Sequence, residues 1–173
     1  DHPRINNLAG GVFLVQNDAR LTHVQATSPL VVNAGIFKKT ASIGTTTLFV
    51  PFSNSGQLII ETGQLDLSAD LLNNPGAKLT GTILGGGGTL RGVLADIVNW
   101  PSGGLFLDLT NASTGILNIQ GDADKSMFGT INNGGTINWT DRGNLVLGGD
   151  HPRINNLPGG MLLVQNDARL THV

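Results

Sequence analysis

The sequence predicts an all-β protein, a right-handed parallel β-helix of six or seven rungs per 149-residue repeat, and three observations predict it. The first is a repeated block. Residues 1–24 read DHPRINNLAGGVFLVQNDARLTHV and residues 150–173 read DHPRINNLPGGMLLVQNDARLTHV, differing only where Ala9, Val12 and Phe13 become Pro158, Met161 and Leu162. The second is a looser repetition inside that period. Asn-rich turns ending in Gly recur as VVNAG (31–35), FSNSG (52–56), LLNNPG (71–76), NASTG (111–115) and INNGG (131–135). Intervals of about 20 to 25 residues between such turns mark a solenoid. The third is composition: 25 Gly, only 13% charged residues, a single Glu (Glu61) and no Tyr, a balance that favours strands and turns over helices.

Composition also bounds function. With 173 residues and 39% hydrophobic content the chain can bury a core without staples. Ten basic residues scattered along a chain of net charge -2 form no phosphate-binding face, so nucleic acid is not an expected partner. The absence of cysteine removes disulfides and thiolate chemistry, which suits the cytosol and also disulfide-free bacterial surface proteins. No apolar run reaches 18 residues and no signal peptide opens the sequence, so this stretch is expected neither to span a membrane nor to carry an export address.

In chain order, period-two alternation places Phe13, Val15 and Leu21 of the first block inward, and leaves open whether His23 or Val24 follows them. Leu48 and Val50 belong to the next rung. The clearest rung has Leu58, Ile60, Leu65 and Leu67 inward, with Gln57, Glu61, Gln64 and Asp66 facing water and Thr62-Gly63 as the corner. Segment 76–104 fits the grid least well because Gly85-Gly86-Gly87-Gly88 interrupts it. That run reads as a flexible corner, and Trp100, beside Pro101, as a corner cover. Leu105, Leu107, Leu109, Leu117 and Ile119 continue the inner row, with 104–135 holding one long rung or a short rung plus a loop. Ile137, Trp139, Leu145 and Leu147 form a second clear rung around the corner Asp141-Arg142-Gly143. Strands of about 3 to 5 residues suit a small solenoid face.

Stacking explains these choices. A single coil cannot bury its apolar row, but its neighbour covers it, and the backbones pair along the axis about 4.8 Å apart. Asn is expected at the turns because its amide tolerates left-handed geometry and can bond the Asn above and below, and Gly because it accepts positive φ.

The phrases FSNSGQLIIETGQLDLSADL and INNGGTINWTDRGNLVLGG resemble the Asn-x-Gly-x-Leu, Gly-x-Leu-x-Leu coils of filamentous haemagglutinin and autotransporter-passenger β-helices of bacteria. The resemblance implies an extracellular or cell-surface adhesin, stalk or scaffold, with host or cell-surface glycans as possible partners.

Candidate sites are sparse. Asp122-Ala-Asp124-Lys-Ser126 opens like a calcium loop, but the loop Gly is missing and Asn133 stands where a bidentate carboxylate belongs. Gly85–Gly88 has no following Lys-Ser or Lys-Thr to make a phosphate cradle. Asp66 with Asp70, or Asp122 with Asp124, could supply paired carboxylates for sugar chemistry, yet no Arg or Lys joins them at converging spacing. His2, His23, His151 and His172 all lie in the repeated block and read as turn and surface residues before metal ligands. Thr45-Thr46-Thr47 is a lone cluster, without the aligned row of an ice-binding solenoid. No catalytic, metal or cofactor site is expected, and no enzyme activity.

The expected unit is therefore residues 1–149 as one solenoid module, with 150–173 starting the next near-identical one. Its expected role is structural, filament-forming or adhesive, as a stiff tandem-repeat rod that continues covalently into identical repeats or associates end to end. The equivalent coils should lie about 30 to 35 Å apart along the axis. The alternative is a polysaccharide-binding or polysaccharide-cleaving β-helix, which the lack of Tyr and the presence of only two Trp disfavour.

Overall fold

A computed structural model of the chain describes residues 3–24 and 28–173. Their twenty strands join in one ladder and wind into about eight turns, every pairing between turns being parallel. Among the described residues there is no helix. Each turn has three faces. Turn one is β1 (Arg4–Asn7), β2 (Val12–Val15) and β3 (Arg20–Leu21); turn two is β4 (Leu30–Asn33), β5 (Ile36–Lys39) and β6 (Thr45–Leu48); turn three is β7 (Phe52–Asn54), β8 (Gln57–Ile60) and β9 (Gln64–Leu67).

From there the corners are partly absorbed into strands. Turn four is β10 (Leu71–Asn73) and the first part of β11 (Lys78–Leu94). Turn five takes the rest of β11, β12 (Ile97–Trp100) and the start of β13 (Gly103–Asn111). Turn six follows with β14 (Ile116–Ile119) and the start of β15 (Lys125–Asn133), and turn seven with β16 (Thr136–Trp139) and β17 (Leu145–Leu147). Turn eight is β18 (Arg153–Asn156), β19 (Met161–Val164) and β20 (Leu170–His172), paired directly on turn seven. The repeated block thus forms the first and the eighth turns of one stack. Seven steps of about 4.8 Å separate them by about 34 Å. Residues 104–135 form a single continuous winding, with no outlying loop.

The inner rows match the alternation. Leu58, Leu65, Leu67, Ile119 and Ile137 are fully enclosed, while Gln57 and Glu61 face solvent. Columns such as Phe13–Phe37–Leu58–Leu79 run up the second face. Phe13 and Phe37 stack at 4.9 Å, and Phe37 meets Phe52 edge-on at 5.1 Å. Burying each such side chain contributes about 2 kcal/mol.

Three expectations are corrected by the structure. Trp100 is not a corner cover: it is completely buried, opposite Ile119, because alternation from Val98 carries it inward. Its indole N–H donates to the Ser102 carbonyl at 3.0 Å, which removes the polar cost of burial. Gly85–Gly88 does lie at a corner, between Ile83–Gly85 on the third face and Leu90–Gly92 on the first, and its backbone stays within β11, where the register with β13 shifts between Gly86 and Thr89. A Cβ on Gly86 would lie 1.9 Å from Asp66 Oδ1, so the glycines allow close passage of one turn over another.

The turn glycines also act by close approach. Gly35, Gly56 and Gly135 do not have positive φ, but a Cβ on each would lie 2.2 to 2.3 Å from a carbonyl oxygen of the turn below. Nor do the turn asparagines adopt left-handed geometry. Among the described residues, the non-glycine residues with positive φ are Ser28, Ala41, Asp141 and His151.

The stack has one dislocation. Between turns four and five Asn73 lies opposite Gly92, and Leu94 lies opposite Asn111 two residues further on. On the second face Gly81 pairs with Val98, and the Leu79 N–H is met by the Asp96 carboxylate at 3.2 Å in place of a backbone carbonyl.

At the end of the first repeated block neither candidate is enclosed: Val24 is 85% exposed and His23 is exposed as well, while His172, the counterpart of His23, pairs with Leu147 and is also exposed.

Candidate functional site

What one turn recognises in the next is an inner column of amides. Asn7 Nδ2 donates to Asn33 Oδ1 at 2.7 Å, Asn33 to Asn54 at 2.8 Å and Asn54 to Asn73 at 2.7 Å. Each amide has a second N–H, which goes to a backbone carbonyl of the turn above, as from Asn54 to Lys78 at 2.8 Å. A separate column repeats the pattern higher up, Asn111 to Asn133 and Asn133 to Asn156, both at 2.7 Å. Asn33, Asn54, Asn73, Asn111 and Asn133 are fully buried, and buried amides are tolerable only with partners of this kind.

A charged contact supplements the ladder between the first two turns. Lys39 follows Phe37 on the inward row and is 1% exposed. Its Nζ reaches down to Asp18 Oδ1 at 3.1 Å and to the Asn17 carbonyl at 3.3 Å. Ser42 Oγ donates to the same carboxylate oxygen at 2.7 Å. The Ser42 hydrogen bond first, and then Lys39, hold the Asp18 carboxyl below its ordinary value. Thr46 Oγ1 donates to the Asn17 carbonyl at 3.1 Å, so the corner 17–18 carries much of what turn two binds. Alternation from Phe37 was the available signal for Lys39.

A second buried lysine lies at the Asp122–Asp124 corner. Lys125 Nζ donates to the Gly121 carbonyl at 2.6 Å; burial pushes its pKa down, while Asp141, Asp124 and Asp122 oppose that shift. The carboxylates themselves hold backbone of the adjacent turn, Asp141 that of the turn below and Asp124 and Asp122 that of the turn above. Gly121 N–H donates to Asp141 at 2.6 Å, Asn144 N–H to Asp124 at 2.9 Å and Arg142 N–H to Asp122 at 3.4 Å. The calcium-like spacing thus coincides with a capped corner, and Asn133 belongs to the inner ladder.

The other weighed residues are dispersed. Asp66 accepts from Ser68 Oγ at 2.9 Å, and Asp70 accepts from the Thr89 N–H at 3.2 Å, with Arg91 at 3.8 Å. His23, His151 and His172 are exposed, and His2 lies outside the described residues. Thr46 is buried, whereas Thr45 and Thr47 are half-buried on the other side of the strand. Among the described residues no group of three or more His, Cys, Asp or Glu side chains is placed to hold a metal ion.

On the outer surface the structure adds an aromatic pair. Phe106 and Phe128 lie opposite each other in adjacent turns, stacked at 4.7 Å, with Phe106 48% exposed. Compared with known proteins, the chain matches no family, no curated protein and no solved structure. The site is therefore read from its own geometry.

Proposed function

We propose that this chain is a structural protein, one block of a stiff tandem-repeat rod with a filament-forming or adhesive role at a bacterial cell surface. The observation that carries this reading is that two near-identical stretches, 3–24 and 150–173, form the first and eighth turns of one uninterrupted ladder. A sequence that returns to its starting coil while still in register can be repeated indefinitely along one axis. Parallel pairing at every step gives such a rod its stiffness, and the outward corners give it a surface that recurs once per block. The reading assigns no catalytic role and no cofactor. The surface location rests on the resemblance to filamentous haemagglutinin-type coils, and an export signal in the parent reading frame would support it.

The test is to produce proteins of one, two and three blocks and measure their lengths by electron microscopy. An increment of about 34 Å per added block is expected. Separate globular beads, or a length that does not grow in proportion, would defeat the reading.

Glycan binding is the second reading, favoured by the Phe106–Phe128 pair, since exposed aromatic faces are common sugar platforms. A glycan panel probed with the native chain and with Phe106→Ala decides it: binding lost in the variant supports the reading, and no binding by the native chain removes it.

A further inference from the structure

Turn eight carries on its upper side the same groups with which turn one holds turn two. In turn one these are Asn7, Val15, Asn17, Asp18 and Leu21, and their counterparts Asn156, Val164, Asn166, Asp167 and Leu170 are identical in type. The substitution on the inward row is Phe13 to Leu162, and a leucine also meets an aromatic or aliphatic partner there. The apolar members are uncovered in turn eight: Leu162 is 40%, Val164 54% and Leu170 58% exposed, against 4% for Val15. Asn156 Nδ2, whose counterpart donates to Asn33, turns back to the Gly160 carbonyl at 2.8 Å. The Asn166 amide nitrogen is buried without a partner.

We propose that the upper side of residues 150–173 is a docking site for a second copy of the coil 28–48, with Asp167 as the counter-ion of that copy's Lys39. The inference rests on the rod reading and gives the block junction its chemistry. Lys39 makes the pairing selective. Its ammonium is buried, and a buried charge without a partner is strongly destabilising, so the coil that carries it must sit over a carboxylate at the Asp18 or Asp167 position. Coils from elsewhere in the block lack that lysine at the corresponding place: Ile60 occupies it in turn three, opposite Lys39. The amide ladder adds direction. Asn156 offers a donor upward, as Asn7 does, and the incoming Asn33 offers the Oδ1 that accepts it.

The test uses a two-block protein, residues 1–173 followed directly by a second copy of residues 25–173. Val12 and Ile36 lie opposite each other on the outer side of turns one and two. Met161 with the second copy's Ile36 should repeat that relation, at a spacing of about 4.8 Å that a disulfide can bridge. Because the chain has no cysteine, the pair Met161→Cys with Ile36→Cys in the second copy is the sole thiol pair. It should close on oxidation, as should the control pair Val12→Cys with Ile36→Cys in the 173-residue chain.

Asp167→Asn should leave the melting temperature of the 173-residue chain unchanged. In the two-block protein it should lower that temperature as much as Asp18→Asn does in the single chain. If the two-block protein lengthens by one block but the thiols stay apart, or Asp167→Asn has no effect in it, the docking chemistry is wrong and the rod survives. If it does not lengthen, the rod reading fails and the docking site with it.

Discussion

Asn73 and Asn111 terminate two amide ladders that run in the same direction but do not join. Asn73 Nδ2 turns to the Val93 carbonyl at 2.6 Å, while Asn111 Oδ1 is buried with no donor, because Leu94 occupies the place beneath it. The two-residue dislocation between turns four and five therefore divides the interior into two polar columns, each complete except at its end.

That division makes asparagines of one type unequal. Asn54→Leu removes three hydrogen bonds and strands both an Asn33 N–H and the Asn73 Oδ1, so a loss of about 3 kcal/mol is expected. Asn111→Leu removes its own orphan oxygen while creating one on Asn133, and should cost about 1 kcal/mol. Urea denaturation of both variants provides the comparison; equal losses would mean that the ladder is not cooperative along its column.

Inner and outer rows should separate as sharply. Leu58→Asp or Leu65→Asp puts a carboxylate into a site with no exposure and is expected to cost more than about 4 kcal/mol. Gln57→Ala or Gln64→Ala should stay within about 0.5 kcal/mol. Thermal unfolding of the four variants checks the register of turn three.

Two glycines distinguish close approach from backbone conformation. Gly76 has a φ of +81° with open space at its Cβ position, so Gly76→Ala should cost about 1 kcal/mol from conformation alone. Gly56 has no such strain, but an added Cβ would lie 2.2 Å from the Gly35 carbonyl oxygen, and the two turns would have to part. Gly56→Ala should therefore be the more damaging by calorimetry.

The Asp18–Lys39 contact predicts an acid dependence. Asp18 has a folded-state pKa below its unfolded value, so its contribution is present above the ordinary carboxylate range and disappears as the pH falls through the lowered folded value. Melting temperatures from pH 7 to pH 2 should show the native chain losing its advantage over Asp18→Asn across that window. A difference that stays constant with pH would show that the ion pair does not contribute.

Lys125 has the opposite dependence. Burial lowers its folded pKa below the usual 10.5, so between those two values the unfolded chain binds more protons and stability should rise with pH. In Lys125→Met that alkaline gain should vanish, with stability near neutral pH unchanged or improved, since an apolar side chain of similar length fills the site. Unfolding free energies between pH 7 and pH 11 measure it.

The sequence by itself determined the fold class and most of the inner row. Period-two alternation is a local property of the chain, and Leu58, Ile60, Leu65, Leu67, Ile137 and Leu145 declared themselves by it. So did the return of the repeated block to an equivalent coil after six or seven rungs, because identical residues build identical coils; that the number is seven came from the structure. What only the tertiary structure decided depends on contacts between turns. Whether Gly56 serves conformation or clearance is set by a carbonyl in the turn below, and whether Lys125 is buried by the corners stacked around it. Trp100 was legible by the same alternation from Val98, and what the sequence did not display was the column that encloses it and the Ser102 carbonyl that takes its indole N–H. The dislocation at turns four and five was likewise hidden: it is a relation of register between segments about 20 residues apart, and alternation carries no information about which rung of one strand meets which rung of the next.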